Sequence, residues 1–249
     1  MSERFHIGNQ RVEIGMLLTL DEEESHHLAR VMRIRSGATV RLFGDGREYD
    51  AIIRDVGRRV TVEVLAERSP LSPPRISLTL AIPWLRGGRT EFLIQKLTEL
   101  GAERVIVYHA DRQVMRPEPE KLERLRRVAI EACKQCERAE VPRIETVANL
   151  EEVLATPLPV GGLRVVAAER SDAPRMSEIL QTWFSQFRPY NEQRPACLII
   201  TGPEGGFSPD ELSACEGRSQ FVSLGPRILR ADTAPIVGAV LALAAAEEI

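Results

Sequence analysis

The chain has 249 residues, 43% of them apolar and 28% charged, with a formal net charge of −3. That length accommodates one large domain or two smaller ones. No stretch approaches the roughly 18 uninterrupted apolar residues of a membrane span, and the mild acidity argues against binding a polyanion through net charge alone.

Charge is unevenly spread. Residues 71–150 carry 14 basic and 11 acidic groups, residues 1–70 carry 11 and 12, and residues 151–249 carry 8 and 13. Lysine occurs only at 96, 121 and 134, and the other thirty cations are arginines. Either a compositional bias or a surface that recognises phosphate and base edges produces that preference. The opening residues, Met-Ser-Glu-Arg-Phe-His, hold no apolar signal core. A cytoplasmic chain is expected, with Cys133, Cys136, Cys197 and Cys215 as thiols.

In chain order, residues 16–20, 39–43, 49–54 and 60–65 read as short strands. Gly44-Asp45-Gly46 and Val56-Gly57-Arg58 are the turns between them. One helix interrupts the strands. Asp21 is placed to cap it, Glu24 follows three residues on, and Leu28, Val31 and Met32 form an apolar face. A small β-barrel with one helix fits residues 1–70. Ser69-Pro70-Leu71-Ser72-Pro73-Pro74 then reads as a linker, because three closely spaced prolines cannot continue a helix or a central strand.

From residue 75 to 249 the pattern changes to alternating strands and helices. Residues 76–82, 105–108, 144–147, 163–168, 197–201 and 221–224 read as strands. Residues 90–100, 118–138, 209–215 and 233–248 read as helices, the first closed by Gly101. The strands at 163–168 and 197–201 are nearly continuous apolar runs, as when both faces of a sheet are covered. This alternation predicts an α/β domain with a mostly parallel sheet. Residues 185–195 read as a polar loop.

Two loops stand out. Gly202-Pro203-Glu204-Gly205-Gly206-Phe207 directly follows the strand at 197–201, where glycines let backbone approach a ligand. The loop lacks the Gly-Lys-Ser/Thr of a phosphate-binding loop and the spacing of a dinucleotide fold. By itself it also suits a tight turn into the next helix. Leu224-Gly225-Pro226-Arg227-Ile228-Leu229-Arg230-Ala231-Asp232-Thr233-Ala234 follows another short strand, with Asp232 or Thr233 in position to cap the last helix. Two such loops after neighbouring strands make one crevice in an open α/β sheet. Cys133-x-x-Cys136 lies inside the long helix without a second pair at ligand spacing, so it reads as two small residues on one helix face rather than a metal site.

In this order and spacing the two loops resemble the RsmE family of 16S rRNA uridine-N3 methyltransferases, of the SPOUT superfamily. The resemblance extends over nearly the whole chain. It includes His26-His27-Leu28-Ala29-Arg30-Val31-Met32-Arg33, the segment Thr90 to Gly101, and Glu131-Ala132-Cys133-Lys134-Gln135-Cys136-Glu137-Arg138 with Val141-Pro142. It implies a PUA-like RNA-binding β-barrel domain followed by a trefoil-knot methyltransferase domain, working as a homodimer on 16S rRNA or the 30S subunit, with no metal. It implies S-adenosylmethionine held by Thr201, Gly202, Pro203, Glu204, Gly205 and Gly206 on one loop. Leu224, Gly225, Ile228, Leu229, Arg230, Thr233 and Ala234 serve on the other, with Ala168 and Glu169 beside them.

The same resemblance implies catalytic roles for Arg230, Asp232 and Arg138, the last from a partner subunit. RNA contacts are expected from His26, Arg30, Arg33 and Arg35, although His26 reads first as a helix-face residue and second as an RNA contact. The chain departs from the family at Asp232, where the family has Glu, and at Pro235. The shorter carboxylate leaves open a second reading, a non-enzymatic RNA-binding or ribosome-assembly factor that keeps the fold.

Overall fold

A computed structural model describes residues 3–8, 10–113, 119–168, 172–187 and 194–249. Its contacts divide the chain into two compact units. One comprises Met1–Ser72 with Ile130–Val141, the other Pro73–Ala129 with Pro142–Ile249.

In the first unit, β1 (Arg4–His6), β2 (Leu17–Thr19), β3 (Thr39–Gly44), β4 (Arg47–Val56) and β5 (Val60–Arg68) form one sheet in the order β1-β3-β4-β5-β2. β1 joins β3 in parallel and the other pairings are antiparallel. Asp45 and Gly46 both take positive φ, which suits the tight hairpin between β3 and β4. The alternation of β5 places Val60, Val62 and Val64 in a core with Phe5, Leu28 and Ile53.

Helix α1 (Glu22–His26) begins as the sequence predicts, with the Asp21 carboxylate accepting from the Glu24 amide at 2.8 Å. A π-helical turn, His27–Val31, follows it. Its wider i→i+5 bonding, seen in Met32 N–H donating to the His27 carbonyl at 3.1 Å, rotates the later residues. Leu28 therefore stays buried, while Val31, expected on the same apolar face, is 63% exposed.

β1 has no counterpart in the sequence reading. Three residues show no alternation, and their pairing with β3 is long-range. What holds β1 is Arg4, which is 4% exposed. Its Nε donates to Glu48 Oε1 at 3.0 Å, its Nη1 to the Cys133 carbonyl at 2.6 Å and its Nη2 to the Arg138 carbonyl at 3.2 Å. The guanidinium also lies 4.6 Å from the centroid of the Phe43 ring. Lys134 repeats the pattern, reaching Glu24 Oε1 at 2.8 Å and Glu131 Oε1 at 2.7 Å.

In the second unit the elements run β6 (Ser77–Pro83), α2 (Arg89–Glu99), β7 (Arg104–Tyr108), α3 (Pro119–Cys136), β8 (Arg143–Val147), α4 (Leu150–Leu154) and β9 (Leu163–Ala167). α5 (Met176–Phe184), β10 (Ala196–Thr201), α6 (Pro209–Cys215), β11 (Gln220–Val222) and α7 (Ala234–Ala245) complete it, the last turns of α3 belonging to the first unit. The sheet order is β11-β9-β10-β6-β7-β8 and every pairing is parallel, as the alternation predicts. β10 is buried along its whole length, since α4 and α6 contribute to the core on one face and α7 packs on β10 and β6. Gly238 of α7 permits that approach, because a Cβ there would lie 3.2 Å from Ile199 Cγ2.

Helices α4 and α5 were absent from the sequence reading. α4 is little more than one turn, capped by Asn149. α5 buries Met176, Leu180 and Trp183 at helical spacing. Of the polar loop expected at 185–195, residues 188–193 lie outside the described residues. Among the described residues, no helix is long and apolar enough to cross a membrane.

Arg4 gives the first test. Removing it leaves buried Glu48 with only Arg41, at 3.9 Å, and takes the donors from two carbonyls, so Arg4→Ala should cost about 3–5 kcal/mol of stability. Equilibrium urea unfolding measures this. A loss below about 1 kcal/mol would mean the pair behaves like an exposed one.

Candidate cofactor site

β11, β9 and β10 are neighbours in the sheet, and their carboxyl ends open onto a cavity of ≈ 810 Å³. Clefts for small ligands span about 300–1,000 Å³, and open parallel sheets place them at this end. The walls come from the segment after β9, the loop after β10 and the loop after β11, with Arg112 from the segment after β7.

The loop after β10 is built around a turn in which the Gly206 amide donates to the Pro203 carbonyl at 2.9 Å, with Gly206 at φ +70°. It ends in a complete capping box. The Ser208 amide donates to Glu211 Oε2 at 2.8 Å, and the Glu211 amide donates to Ser208 Oγ at 3.1 Å. The segment after β7 braces it from the side. The Asp111 amide donates to Glu211 Oε1 at 3.1 Å, Ser208 Oγ donates to Asp111 Oδ2 at 2.6 Å, and Tyr108 OH donates to the Thr201 carbonyl at 2.8 Å. Burial pushes the Tyr108 phenol well above its ordinary pKa, so it remains a donor. Gly202 faces the Phe207 ring, which a Cβ would approach to 3.0 Å.

The loop after β11 is pinned at its two ends. Ser223 makes a parallel bridge with Arg175, its amide donating to the Pro174 carbonyl and its carbonyl accepting from the Met176 amide, both at 2.9 Å. Gly225 sits at φ +126°. At the far end the amides of Thr233 and Ala234 donate to the Arg230 carbonyl at 2.9 and 3.0 Å. Neither Asp232 nor Thr233 caps α7 as expected. Thr233 occupies the capping position in helical conformation, so its side chain makes no capping bond, and its Oγ1 donates to Asp232 Oδ1 at 3.3 Å. Pro235 falls in the first turn, where a missing N–H is tolerated.

Most residues expected at the cofactor line this cavity: Ala168, Gly202, Pro203, Glu204, Gly205, Gly206, Leu224, Gly225, Ile228, Leu229 and Ala234. Thr201 does not. It is fully buried at the end of β10. Arg230 and Thr233 are exposed and outside the lining, and Asp232 is half-buried beside them. Glu169 lies outside the described residues. Glu204 is engaged by Arg89, Nη2 to Oε1, at 3.0 Å.

The sequence reading missed Arg112, Asp172 and Arg175, which also line the cavity. The rule that ligands sit at the carboxyl ends of parallel strands applies to the segments after β7 and β9, and would have found them.

The other expected site residues belong to the first unit. His26, Arg30, Arg33 and Arg35 are all exposed, on the π-helical turn and the residues around it, with Arg33 at φ 53°. Arg138 is half-buried and its carbonyl accepts from Arg4. Among the described residues no group of His, Cys, Asp and Glu is arranged to hold a metal. Cys133 is buried and Cys136 half-buried, and burial pushes the Cys133 thiol up to about 12.

Residues 72–244 match a family model described as an RNA methyltransferase domain, and residues 20–65 match the RNA methyltransferase PUA domain. A ribosomal RNA small subunit methyltransferase E from Synechocystis is 31% identical over 245 residues, covering 95% of this chain and 76% of that protein. The chain belongs to the small subunit methyltransferase E family. A Bacillus subtilis member is 30% identical, over 92% of this chain and 91% of its own. Among solved structures, the Neisseria gonorrhoeae family member bound to S-adenosylmethionine superposes with TM-score 0.82 and 25% identity, over 97% of this chain and 96% of that one. A Legionella pneumophila protein solved with the same cofactor gives TM-score 0.83 and 26% identity, covering 98% of each chain.

The residues present fit such a ligand. Gly206 and Gly225 both line the cavity, and a Cβ on either would meet no protein atom within 4 Å. Their bare backbone faces open space, while Ala167, Ala168, Leu229 and Ala234 supply apolar wall. A sulfonium cofactor carries no phosphate, so it needs backbone groups and apolar surface rather than a lysine.

The capping box makes the second prediction. Ser208→Ala should cost about 0.5–2 kcal/mol, and should speed hydrogen exchange at the amides of Gly205, Gly206 and Phe207. Unchanged exchange there would mean that the box does not hold the loop.

Proposed function

We propose that this chain transfers a methyl group from S-adenosylmethionine to the N3 atom of a uridine in 16S rRNA. One observation carries the reading. The two glycine-bearing loops, separated in sequence by α6 and β11, follow parallel strands that flank β9 and share one cavity. Family membership supports the same assignment.

In this reading the loops from Gly202 to Gly206 and from Leu224 to Ala234 hold the cofactor, with Ala168 and Glu169 beside it. Once bound, the cofactor supplies an electrophilic methyl group on a sulfonium sulfur. The protein must then deal with uridine. A neutral imide nitrogen is a poor nucleophile, so N3 has to lose its proton as negative charge develops on the adjacent carbonyls. Arg230 is exposed at the edge of the cavity loop, and its side chain makes no hydrogen bond or ion pair among the described residues. It is therefore available to stabilise that charge, an electrostatic role. Asp232, two residues on, accepts the proton directly or through water. The one-methylene difference from Glu is met by bringing the base closer or by inserting a water. Because N3 lies on the pairing edge, uridine must leave its stack to reach the site.

Residues 1–70 act in this proposal as the RNA-holding domain and residues 75–249 as the catalytic domain. Exposed His26, Arg30, Arg33 and Arg35 suit contacts to the RNA backbone. The same reading has a cytoplasmic homodimer, in which Arg138 of a partner chain reaches the substrate.

The decisive experiment incubates the protein with methyl-labelled S-adenosylmethionine and 30S subunits lacking the modification, then maps the labelled base. Label at N3 of one uridine is expected. Bound rRNA without label would instead favour the non-enzymatic assembly factor. Within the mechanism, Arg230→Ala should lower turnover by roughly 10²–10³-fold, with cofactor affinity by calorimetry nearly unchanged. Equal loss of both would reject that division of labour. Asp232→Asn with an undiminished single-turnover rate would remove Asp232 as the base.

A further inference from the structure

Arg112 has no role in the assignment above, yet it lines the cavity and touches the glycine loop. Its Nη1 donates to the Gly205 carbonyl at 3.3 Å. A Cβ on Gly205 would lie 3.2 Å from both the Cβ and the carbonyl oxygen of Arg112, so a larger residue at 205 would push the two segments apart by a few tenths of an ångström.

The preceding residue is fixed as well. The Asp111 amide is bonded to the nearly buried Glu211 carboxylate and the Asp111 carboxylate to Ser208. Arg112 thus extends from a braced backbone as an exposed residue, with one of its five N–H donors used among the described residues.

The charge inventory says what the remaining donors face. The described lining has three cations, Arg112, Arg175 and Arg227, and two anions, Asp172 and Glu204. Arg89 already neutralises Glu204. S-adenosylmethionine carries a sulfonium, an α-ammonium and an α-carboxylate, so it is a net cation with a single anionic group. A guanidinium in its site is repelled by the sulfonium and the ammonium and attracted most strongly by that carboxylate, where it can bond in the paired geometry suited to its fork. Arg227 lies in a stretch of three consecutive exposed residues and Arg175 is exposed ahead of α5. Neither side chain is tethered to the loops by a described hydrogen bond. Arg112 is tethered, so it loses less rotamer freedom on binding.

We propose that Arg112 is a cofactor-binding residue that anchors the α-carboxylate of S-adenosylmethionine, and that its bond to Gly205 aims it there. The proposal rests on the reading that this cavity holds that cofactor.

Calorimetry with two ligands tests it. S-adenosylmethionine is compared with its decarboxylated analogue, which keeps the adenosyl, sulfonium and ammonium groups and lacks only the carboxylate. The wild-type protein should prefer the carboxylated ligand. Arg112→Ala should weaken S-adenosylmethionine by roughly 10- to 100-fold, while changing the analogue by less than about threefold. Arg112→Lys should recover part of the loss.

An equal loss for both ligands would show that Arg112 merely props the Gly205 loop, and would overturn the proposal. So would no loss for either, or a carboxylate-selective loss found in Arg175→Ala instead. If the wild-type protein bound neither ligand, the cofactor reading itself would fall, an outcome distinct from those three.

Discussion

The Glu211 carboxylate, only 6% exposed, is the interaction on which the cofactor site depends. Its two oxygens accept from two backbone amides, Ser208 on the loop after β10 and Asp111 on the segment after β7. Those segments leave strands that are not neighbours, since β6 runs between β10 and β7. One side chain therefore joins two loops across the width of a strand. A carboxylate this buried is expensive unless its lone pairs are filled, and here backbone donors fill them. Moving either loop would strand the charge, so the glycine loop is held by that penalty together with the burial of Phe207 in the core. Tyr108 adds a second buried bond to the Thr201 carbonyl, at the point where the strand becomes the loop.

That arrangement explains which parts of the site were legible in the sequence. β9 and β10 announce themselves as apolar runs because both sheet faces are covered. The glycines of 202–206 and 225 stand directly after strands, so a ligand-facing backbone is inferable from position alone. The bond of Arg112 to Gly205 and that of Glu211 to Asp111 were illegible for the opposite reason. Each joins partners roughly a hundred residues apart, and local pattern carries no trace of such pairing. Arg4 is the same case in the other unit. The tripeptide Arg4-Phe5-His6 becomes a strand because Phe5 enters the core and the Arg4 guanidinium satisfies Glu48 and two carbonyls at long range. α5 differs, since its helical spacing was present and the miss was one of reading. Without it the segment before the helix, bearing Asp172 and Arg175, had no place in the sheet.

The cysteines show the converse, a motif whose chemistry the structure removes. Burial pushes the thiols of Cys133 and Cys197 up to about 12 and that of Cys215 up to about 11. A thiol in that range is neutral at physiological pH, and the thiolate is the form that binds metal or attacks. Cys133 instead packs with Phe43 and Ala139 and offers its carbonyl to Arg4. Cys133 thus belongs to the core of the first unit, while Cys136 is half-buried.

The two cofactor loops are not built alike, and the difference follows from their tasks. The loop after β10 is bonded along its length, to Arg112, Asp111 and Glu211, and closes in a capping box. The loop after β11 is bonded at Ser223 and at Arg230, and between them Pro226, Arg227 and Ile228 are exposed. Ile228 lines the cavity at 56% exposure, so its apolar wall is incomplete until something packs against it. Segments with few buried contacts sit at the low end of local stability. A preformed half spares the cofactor most of the ordering cost, and the open half carries Arg230 and Asp232, the groups assigned to the uridine. In that assignment the loop after β11, which serves both cofactor and uridine, is the one left free to settle, while the loop after β10 is set in advance. A site made the other way round would spend cofactor binding energy on folding the glycine loop, and would present the nucleotide with a rigid charge array that tolerates no error in its approach.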